Sequence, residues 1–456
     1  MSRAPNPPEG EGESPDDTMS NRRRDKIRQP DLENLCMMKK DTYKWAVVAM
    51  LWFICFFNYA DRQSIFSVFP LLEKELGLTD TQLGYVAASF MWVYAGFGWI
   101  AGMVGDRFKR KTVILSGFLF WSVITVLFAF SRHYWQLVTL RAVEGFGEAF
   151  YFPAAMSMIS SYHGKETRSR AMGIHQSSVY IGTVAGGWLG GWMGQHYGWH
   201  SSFLVLGLSG IFFVFLLMFF LKEPSGNSVL SSDSRNDKQS ESLGQILMSI
   251  VYLYKIPMVW ILTAVFVGAN FVAMIYLVWT PKFLYDKFQM SLSMAGFSAT
   301  AYLQVGSVLG VLCGGMLADY MVRRRRGGRM MTQSLGLFCG VPFIFVVGWT
   351  LQVPVLVLAL AGFGFFKGVY DANIWASLHD VVPAERRATA VGVMNSIGWF
   401  GGGIATVTIA AASQRFGMSA CLSATSMIYL LFGILLLAGV FRFMGGRTNT
   451  QQNPIR

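Results

Sequence analysis

Twelve uninterrupted apolar stretches dominate the chain, beginning near Trp45, Gly84, Thr112, Leu137, Met172, Phe203, Met258, Ala295, Met331, Val353, Thr389 and Ala420. Most are about 19 to 26 residues long, and about 20 suffice for a helix to cross the hydrocarbon of a bilayer. Backbone amides cannot stay unpaired in lipid, so stretches of this Leu, Phe, Val, Gly and Ala content must be helices rather than alternating barrel strands. The fold class read from the sequence is an all-α membrane bundle of twelve transmembrane helices. Composition agrees: 53% of residues are hydrophobic and 14% charged, with mean hydropathy +0.40, whereas soluble domains run at about 25% charged. A water-soluble enzyme is excluded on that ground. Five scattered cysteines form no CxxC or Cys/His cluster, so neither a disulfide framework nor a metal site is expected.

The formal charge of +12 could suggest nucleic acid, so the placement of the basic residues decides. Of 38 Lys and Arg, 30 lie in the tails and the even-to-odd loops, 5 in the odd-to-even loops and 3 inside spans. The positive-inside bias then puts both termini and the 222–256 connector in the cytoplasm of a plasma or inner membrane protein. The excess charge is a topology signal, with the bilayer and not a nucleic acid as partner. A monomer is expected.

Residues 1–43 are polar, Pro- and Gly-rich and aperiodic, reading as a disordered cytoplasmic tail without a secretory signal, and 444–456 as a short C-terminal tail. The polar run from Glu223 divides two six-span halves, 44–221 and 257–443. Within the linker, Leu243, Ile246, Leu247, Ile250, Val251 and Tyr254 share a helical face, suggesting a short surface helix before Pro257 opens span seven.

Two sequence pairs repeat between the halves. Gly102-Met-Val-Gly-Asp106-Arg107-Phe-Lys-Arg110 after span two matches Gly315-Met-Leu-Ala-Asp319-Tyr-Met-Val-Arg323 after span eight, at an offset of 213. Glu166-Thr-Arg168 with Ala171 and Gly173 matches Glu385-Arg-Arg387 with Ala390 and Gly392, at 219. Nearly equal offsets imply two halves of common design. An Asp at a helix end beside a basic cluster can latch neighbouring helices and release them, so Gly102, Asp106, Arg107, Arg110, Asp319 and Arg323 are candidates for a conformational latch. On these motifs the chain resembles the major facilitator superfamily over roughly residues 44 to 443. The resemblance implies two pseudo-symmetric six-helix halves, alternating access around a midplane cavity and no chemical conversion, hence no enzyme. No G-x-x-x-x-G-K-[ST] loop is present, so no nucleotide or other cofactor is expected.

An ionisable residue in a span costs about 2.5–3.5 kcal/mol even on the mild insertion scale, which makes each a functional candidate. Seven qualify: Asp61, Arg62, Arg141, Glu144, Glu148, Lys367 and Asp371. Asn58, Asp61 and Arg62 are spaced i, i+3, i+4 and share one face of span one; Arg141, Glu144 and Glu148, at i, i+3, i+7, form one stripe of span four. Arginine forks onto carboxylates, and desolvated acids exchange protons near neutral pH. The set therefore describes coupled binding of a small organic anion and protons, with ion pairs that merely hold the bundle shut as the structural alternative.

Asn-Tyr59-x-Asp61-Arg62, Arg141-x6-Glu148, Gln176 and Asn395-Ser-x-Gly resemble the anion:cation symporter branch, whose members move sugar acids and other carboxylates with protons. That likeness implies proton coupling by Asp61 and Glu148, with Glu144 beside them. It implies anion recognition or gating by Arg62 and Arg141, and hydrogen bonds to substrate from Tyr59, Gln176 and Asn395. Gly145-Phe-Gly147-Glu148-Ala149 equally resembles the Spinster-like branch of lysophospholipid and sphingolipid carriers, the alternative reading. Gly182-x-x-x-Gly186-Gly187-x-x-Gly190-Gly191 is similar to a drug/proton antiporter signature, with Gly187 in place of its proline, and close helix packing is the reading preferred for it.

Lys367 falls at the repeat position of Glu148, with Asp371 one turn on. It is either a second substrate ligand or half of a Lys–Asp lock. His175 is read as a packing residue rather than a proton carrier, and Tyr276, Trp279, Tyr370, Trp375 and Trp399 are candidates for the cavity wall.

Overall fold

The computed structural model describes residues 42–164, 166–224, 248 and 250–444. The first tail, most of the linker with Leu243, Ile246 and Leu247, and the last residues lie outside the described residues. Ile250 and Val251 do stand in a short helical turn before span seven, and Leu253 is buried.

The described chain is helical, with no strand among the described residues. Its first half contains α1 (Thr42–Ser67), α2 (Phe69–Leu76), α3 (Asp80–Arg107), α4 (Arg110–Phe128), α5 (Tyr134–Ala149), α6 (Tyr151–Tyr162), α7 (Arg168–Tyr197) and α8 (Trp199–Phe220). The second contains α9 (Pro257–Phe288), α10 (Leu292–Arg324), α11 (Gly328–Trp349), α12 (Val353–Asp371), α13 (Ile374–Val381), α14 (Arg387–Phe416) and α15 (Met418–Phe443). With α1–α2, α5–α6 and α12–α13 each taken as one broken rod, the helices form twelve rods, each starting no more than four residues before its apolar stretch. Among the described residues, nine are long and apolar enough to cross a membrane. Of the other three, α3, α5–α6 and α7, the second carries Arg141, Glu144 and Glu148 and the third a run of packing glycines. Phe212, Phe215, Phe219, Leu309, Leu312 and Leu431 point outward, a surface suited to lipid and not to water.

Prolines explain two of the breaks. Pro70 and Pro153 lack the N–H that would reach residues 66 and 149, so α1 hands over to α2 at Val68 and α5 to α6 at Phe150. In α9 the helix runs through Pro281, which frees the carbonyl of Leu277, and Gln63 Nε2 of α1 donates to it at 3.0 Å. A helix defect in one half thus becomes a hydrogen bond from the other.

The repeat at offset 219 is realised as a shared clasp. Arg168 opens α7 and donates through Nη2 to Ser160 O at 3.3 Å; Arg387 opens α14 and donates to His379 O at 3.0 Å, each reaching back eight residues.

One buried cluster occupies most of the second half and runs into Ile65–Phe69, Leu83–Met91 and Trp199–Phe203 of the first. A separate cluster, from Val47 to Leu221, stays within the first half. The halves therefore meet toward one end, called here the far end, opposite the basic loops. There α3 packs on α14, where a Cβ on Gly84 would stand 2.9 Å from Thr406 O, and α7 packs on α10, where one on Gly187 would stand 2.7 Å from Gly296 O. Toward the basic end of these same helices, Gly96, Gly98, Gly173, Gly315 and Gly392 face open space. The glycine run of α7 is packing on both sides: Gly182 and Gly190 press on the α1 backbone at Phe56 and Ser64, and Gly191 on α10 at Leu292.

Candidate functional site

Span one and span four bring six of the predicted residues together. Arg62 Nε donates to Glu148 Oε2, joining α1 to α5, and Arg141 Nη1 donates to Glu144 Oε2 at 2.6 Å within α5. Both pairs and Asp61 are buried. Gly145 makes the packing possible, since a Cβ there would lie 2.6 Å from Phe90 O. The Phe90 ring consequently sits between two guanidiniums, 4.8 Å from Arg62 Cζ and 4.7 Å from Arg141 Cζ. Tyr59 at 5.0 Å, Tyr94 at 4.7 Å and Trp399 of the other half at 5.6 Å complete an aromatic cage around Arg62.

With both arginines taken, Asp61 has no cation of its own and hydrogen-bonds to Thr125 Oγ1. Thr125 Oγ1 also stands 2.9 Å from Trp121 O. A hydroxyl has one proton and two lone pairs, and a carbonyl can only accept. When Asp61 is ionised Thr125 donates to it; when Asp61 is protonated it donates to Thr125, whose proton turns to Trp121 O. One side chain thus serves both protonation states.

An oxygen from each of Asp61, Glu144 and Glu148 lies within 4.8 Å of the others. Three carboxylates against two guanidiniums leave a formal −1, which one proton or one monovalent cation balances. A divalent ion would overshoot to +1, so the residues present do not fit one. Asp61 Oδ1, Glu144 Oε1, Glu148 Oε1, Arg62 Nη1 and Arg141 Nε are all buried without a partner. Such a group of orphaned polar atoms is expensive to bury.

The remaining predicted residues lie elsewhere. Gln176 is exposed and Asn395 half-buried, and neither hydrogen-bonds to the cluster among the described residues. Lys367 Nζ donates to Asp371 Oδ2 beside a cavity of about 170 Å³ in the second half. Tyr370 lines that cavity, Trp399 covers Arg62 and Trp375 packs on Phe266. Tyr276 and Trp279 do not fit the expected wall position: both are fully buried, donating to Ile344 O and Thr406 O at 2.9 and 3.1 Å, because their rings fill the core of α9. His175 is buried against Tyr151, whose hydroxyl donates to Leu51 O, so Nε2 of the imidazole is the donor to Tyr151. Of the latch residues, Gly102, Asp106 and Arg107 fall in α3 with side chains outside the described residues. Arg110 donates to Ser161 Oγ at 2.7 Å, while Asp319 and Arg323 are exposed and unpaired among the described residues.

Sequence reasoning missed Phe90, Tyr94 and Thr125, which carry no charge to mark them. It also missed Lys282. The apolar stretch of span seven fades at Pro281, yet the helix continues and buries Lys282, which pairs with Glu73 at 3.0 Å, Asp80 at 3.3 Å and Asp286 at 2.8 Å. Two of those acids belong to the other half.

Residues 51–406 match the family described as the Major Facilitator Superfamily. The probable galactarate/D-glucarate transporter GudP of Bacillus subtilis (strain 168) is 27% identical, over 88% of this chain and 93% of its own length. The probable sulfoacetate transporter SauU of Cupriavidus necator is also 27% identical, over 77% and 82%. A D-galactonate transporter of Escherichia coli is 25% identical, over 88% and 96%. Among solved structures, a bacterial homologue of the human lysosomal transporter Spinster, inward-facing and unoccupied, superposes with a TM-score of 0.77 at 20% identity, over 90% of this chain and 99% of that one. At that identity the superposition speaks for the fold.

Proposed function

The chain belongs to the major facilitator superfamily, and from that premise we propose that it is a secondary active transporter coupling protons to a small organic anion, a sugar acid or similar carboxylate, by alternating access. The observation that carries the proposal is the unequal pairing in the first half. Arg62 and Arg141 each hold one glutamate, and Asp61 is left the acid without a cation. A proton on Asp61 relieves the formal −1, and its arrival or departure changes how tightly the two pairs are drawn together. Glu148 and Glu144 are the acids that give up an arginine when an anionic substrate takes it, and each then needs a proton of its own. In this way anion and proton enter together. The relatives named as carriers of galactarate, glucarate, galactonate and sulfoacetate support an anionic substrate.

With the basic loops cytoplasmic, as their charge requires, the far end is the outer face and the structure is the inward-open state. Tyr59 packs on Arg62 and orients it. Gln176 and Asn395, without a hydrogen bond to the arginine cluster among the described residues, reach substrate when the halves rock. The motif around Gly102, Asp106, Arg107 and Arg110, with Asp319 and Arg323 in the second half, latches the basic end in the opposite, outward-open state.

The test is accumulation in liposomes containing the purified protein, with and without a pH gradient, for D-galactonate, D-glucarate, sulfoacetate and a lysophospholipid. The expected result is pH-gradient-driven uptake of at least one carboxylate. A response to the lysophospholipid with silence to every small anion would replace this reading with the Spinster-like one, and uptake driven by sodium alone would change the coupling ion.

A further inference from the structure

Resting on the organic-anion reading above, we propose that the cavity beside Lys367 and Asp371 is a second, electrically neutral subsite that holds the hydroxyl-bearing end of the substrate, away from the carboxylate that the arginines take. The cavity lies between α9, α12 and α15 and is lined by Lys367, Asp371, Asn270, Tyr370 and Tyr429, with Phe266 among its apolar walls. At about 170 Å³ it has room for roughly five water molecules, or for a short hydroxylated carbon chain.

Its hydrogen-bonding inventory distinguishes a hydroxyl from a carboxylate. The side chains of Lys367 and Asp371 are 17% and 29% exposed, against 1% for Arg141, so the pair is open to a solute while the arginine pairs are closed. Lys367 and Asp371 neutralise each other, and the ammonium keeps two further N–H donors and the carboxylate its spare acceptors. Asn270 gives one amide N–H to Gly398 O at 2.6 Å, which leaves its second N–H as a donor and its carbonyl oxygen as an acceptor. Tyr429 is buried with a hydroxyl that has no hydrogen-bond partner among the described residues, so a ligand can bond to it without displacing one. Donors and acceptors are thus mixed at zero net charge. A hydroxyl both donates and accepts and suits every one of these groups. An ionised carboxylate only accepts, and would meet the Asp371 and Asn270 oxygens with repulsion. The ring of Phe266 offers an apolar face for the carbon side of such a chain.

From the first half, Tyr180 of α7 lies within electrostatic reach of Lys367 and Asp371, while Tyr370 and Tyr429 stand near Asp371 in their own half. The subsite is therefore completed across the cavity when the halves close on a substrate.

Binding to the purified full-length protein tests this, with D-galactonate and hexanoate as probes, which share a carboxylate and differ in hydroxyls. Tyr429→Phe removes only an unpartnered hydroxyl, so the fold is expected to be unaffected. It should weaken D-galactonate by about 2- to 13-fold, the range of one hydrogen bond, and leave hexanoate unchanged. Lys367→Met/Asp371→Leu removes both charges without stranding either, and should abolish the preference for D-galactonate over hexanoate. If both substitutions leave that preference intact, or weaken both probes equally, the pair is a structural lock and the subsite is refuted. If the wild-type protein binds neither probe nor D-glucarate, the organic-anion reading itself falls, and this inference with it.

Discussion

Arg62 is held by one carboxylate and four rings, so removing it exposes what each partner was for. Arg62→Ala should weaken carboxylate binding by about 10- to 150-fold, the range of a charged hydrogen bond, and neutral solutes far less. Equal loss in both would assign the arginine to packing alone, and the comparison is made by competition binding. Asp61→Asn and Glu148→Gln should each abolish uphill accumulation driven by a pH gradient while counterflow exchange survives in at least one of them. Undiminished uphill uptake in both would refute their role in proton coupling. Charged residues were legible in the sequence because the cost of placing them in lipid singles them out. Phe90 and Thr125 were not, since an aromatic and a small hydroxyl are unremarkable in a span until a neighbour such as Gly145 or Trp121 gives them a position.

Helices carry the next level of control. Gly187 of α7 and Gly296 of α10 touch across the two halves at the far end, where an added side chain has no room. Gly296→Val should oppose that contact by about 1–3 kcal/mol of overpacking and move the protein toward the state open at the far end. Labelling of a cysteine placed in the cavity, from each side of the membrane, reads the shift, and unchanged labelling would mean that this contact does not gate. At the basic end, His163 follows α6 and bonds to Lys44 O and Thr167 Oγ1, both at 3.1 Å. Burial lowers its pKa, so folding favours the neutral ring. The stability it contributes is present above the ordinary histidine range and is lost as pH falls through it. The Tm should fall on acidification, and less so in His163→Gln. These helices were visible as apolar stretches, but the prolines that break α1 and α5 and leave α9 whole act through neighbours that the stretches do not reveal.

Across the whole molecule, Lys282 ties α9 to Glu73 and Asp80 of the other half. The acids are partly solvated, so the tie is worth about 1 kcal/mol, roughly fivefold in the balance between inward- and outward-open states. Lys282→Met should shift that balance by this amount toward the far-end-open state, seen as a change in distances between spin labels on α3 and α14. No change would leave closure at that end to the glycine contacts and to hydrogen bonds such as Gln63 to Leu277 O. The ammonium also sits among three carboxylates, so salt should weaken the tie.

The sequence by itself determined that the chain crosses a membrane as helices, showed motifs that repeat between its two halves, and singled out Asp61, Arg62, Arg141, Glu144 and Glu148 as ionisable residues within spans. Each of these follows from one-dimensional facts: span length, repeat offset, and charge where lipid should be. Tertiary structure alone decided who pairs with whom. Arg62 could have met Glu144 or Asp61, because helical spacing sets the face a residue occupies and not the helix it confronts. The same limit hid Lys282, a charge just past the apolar stretch that becomes buried only when the two halves close over it.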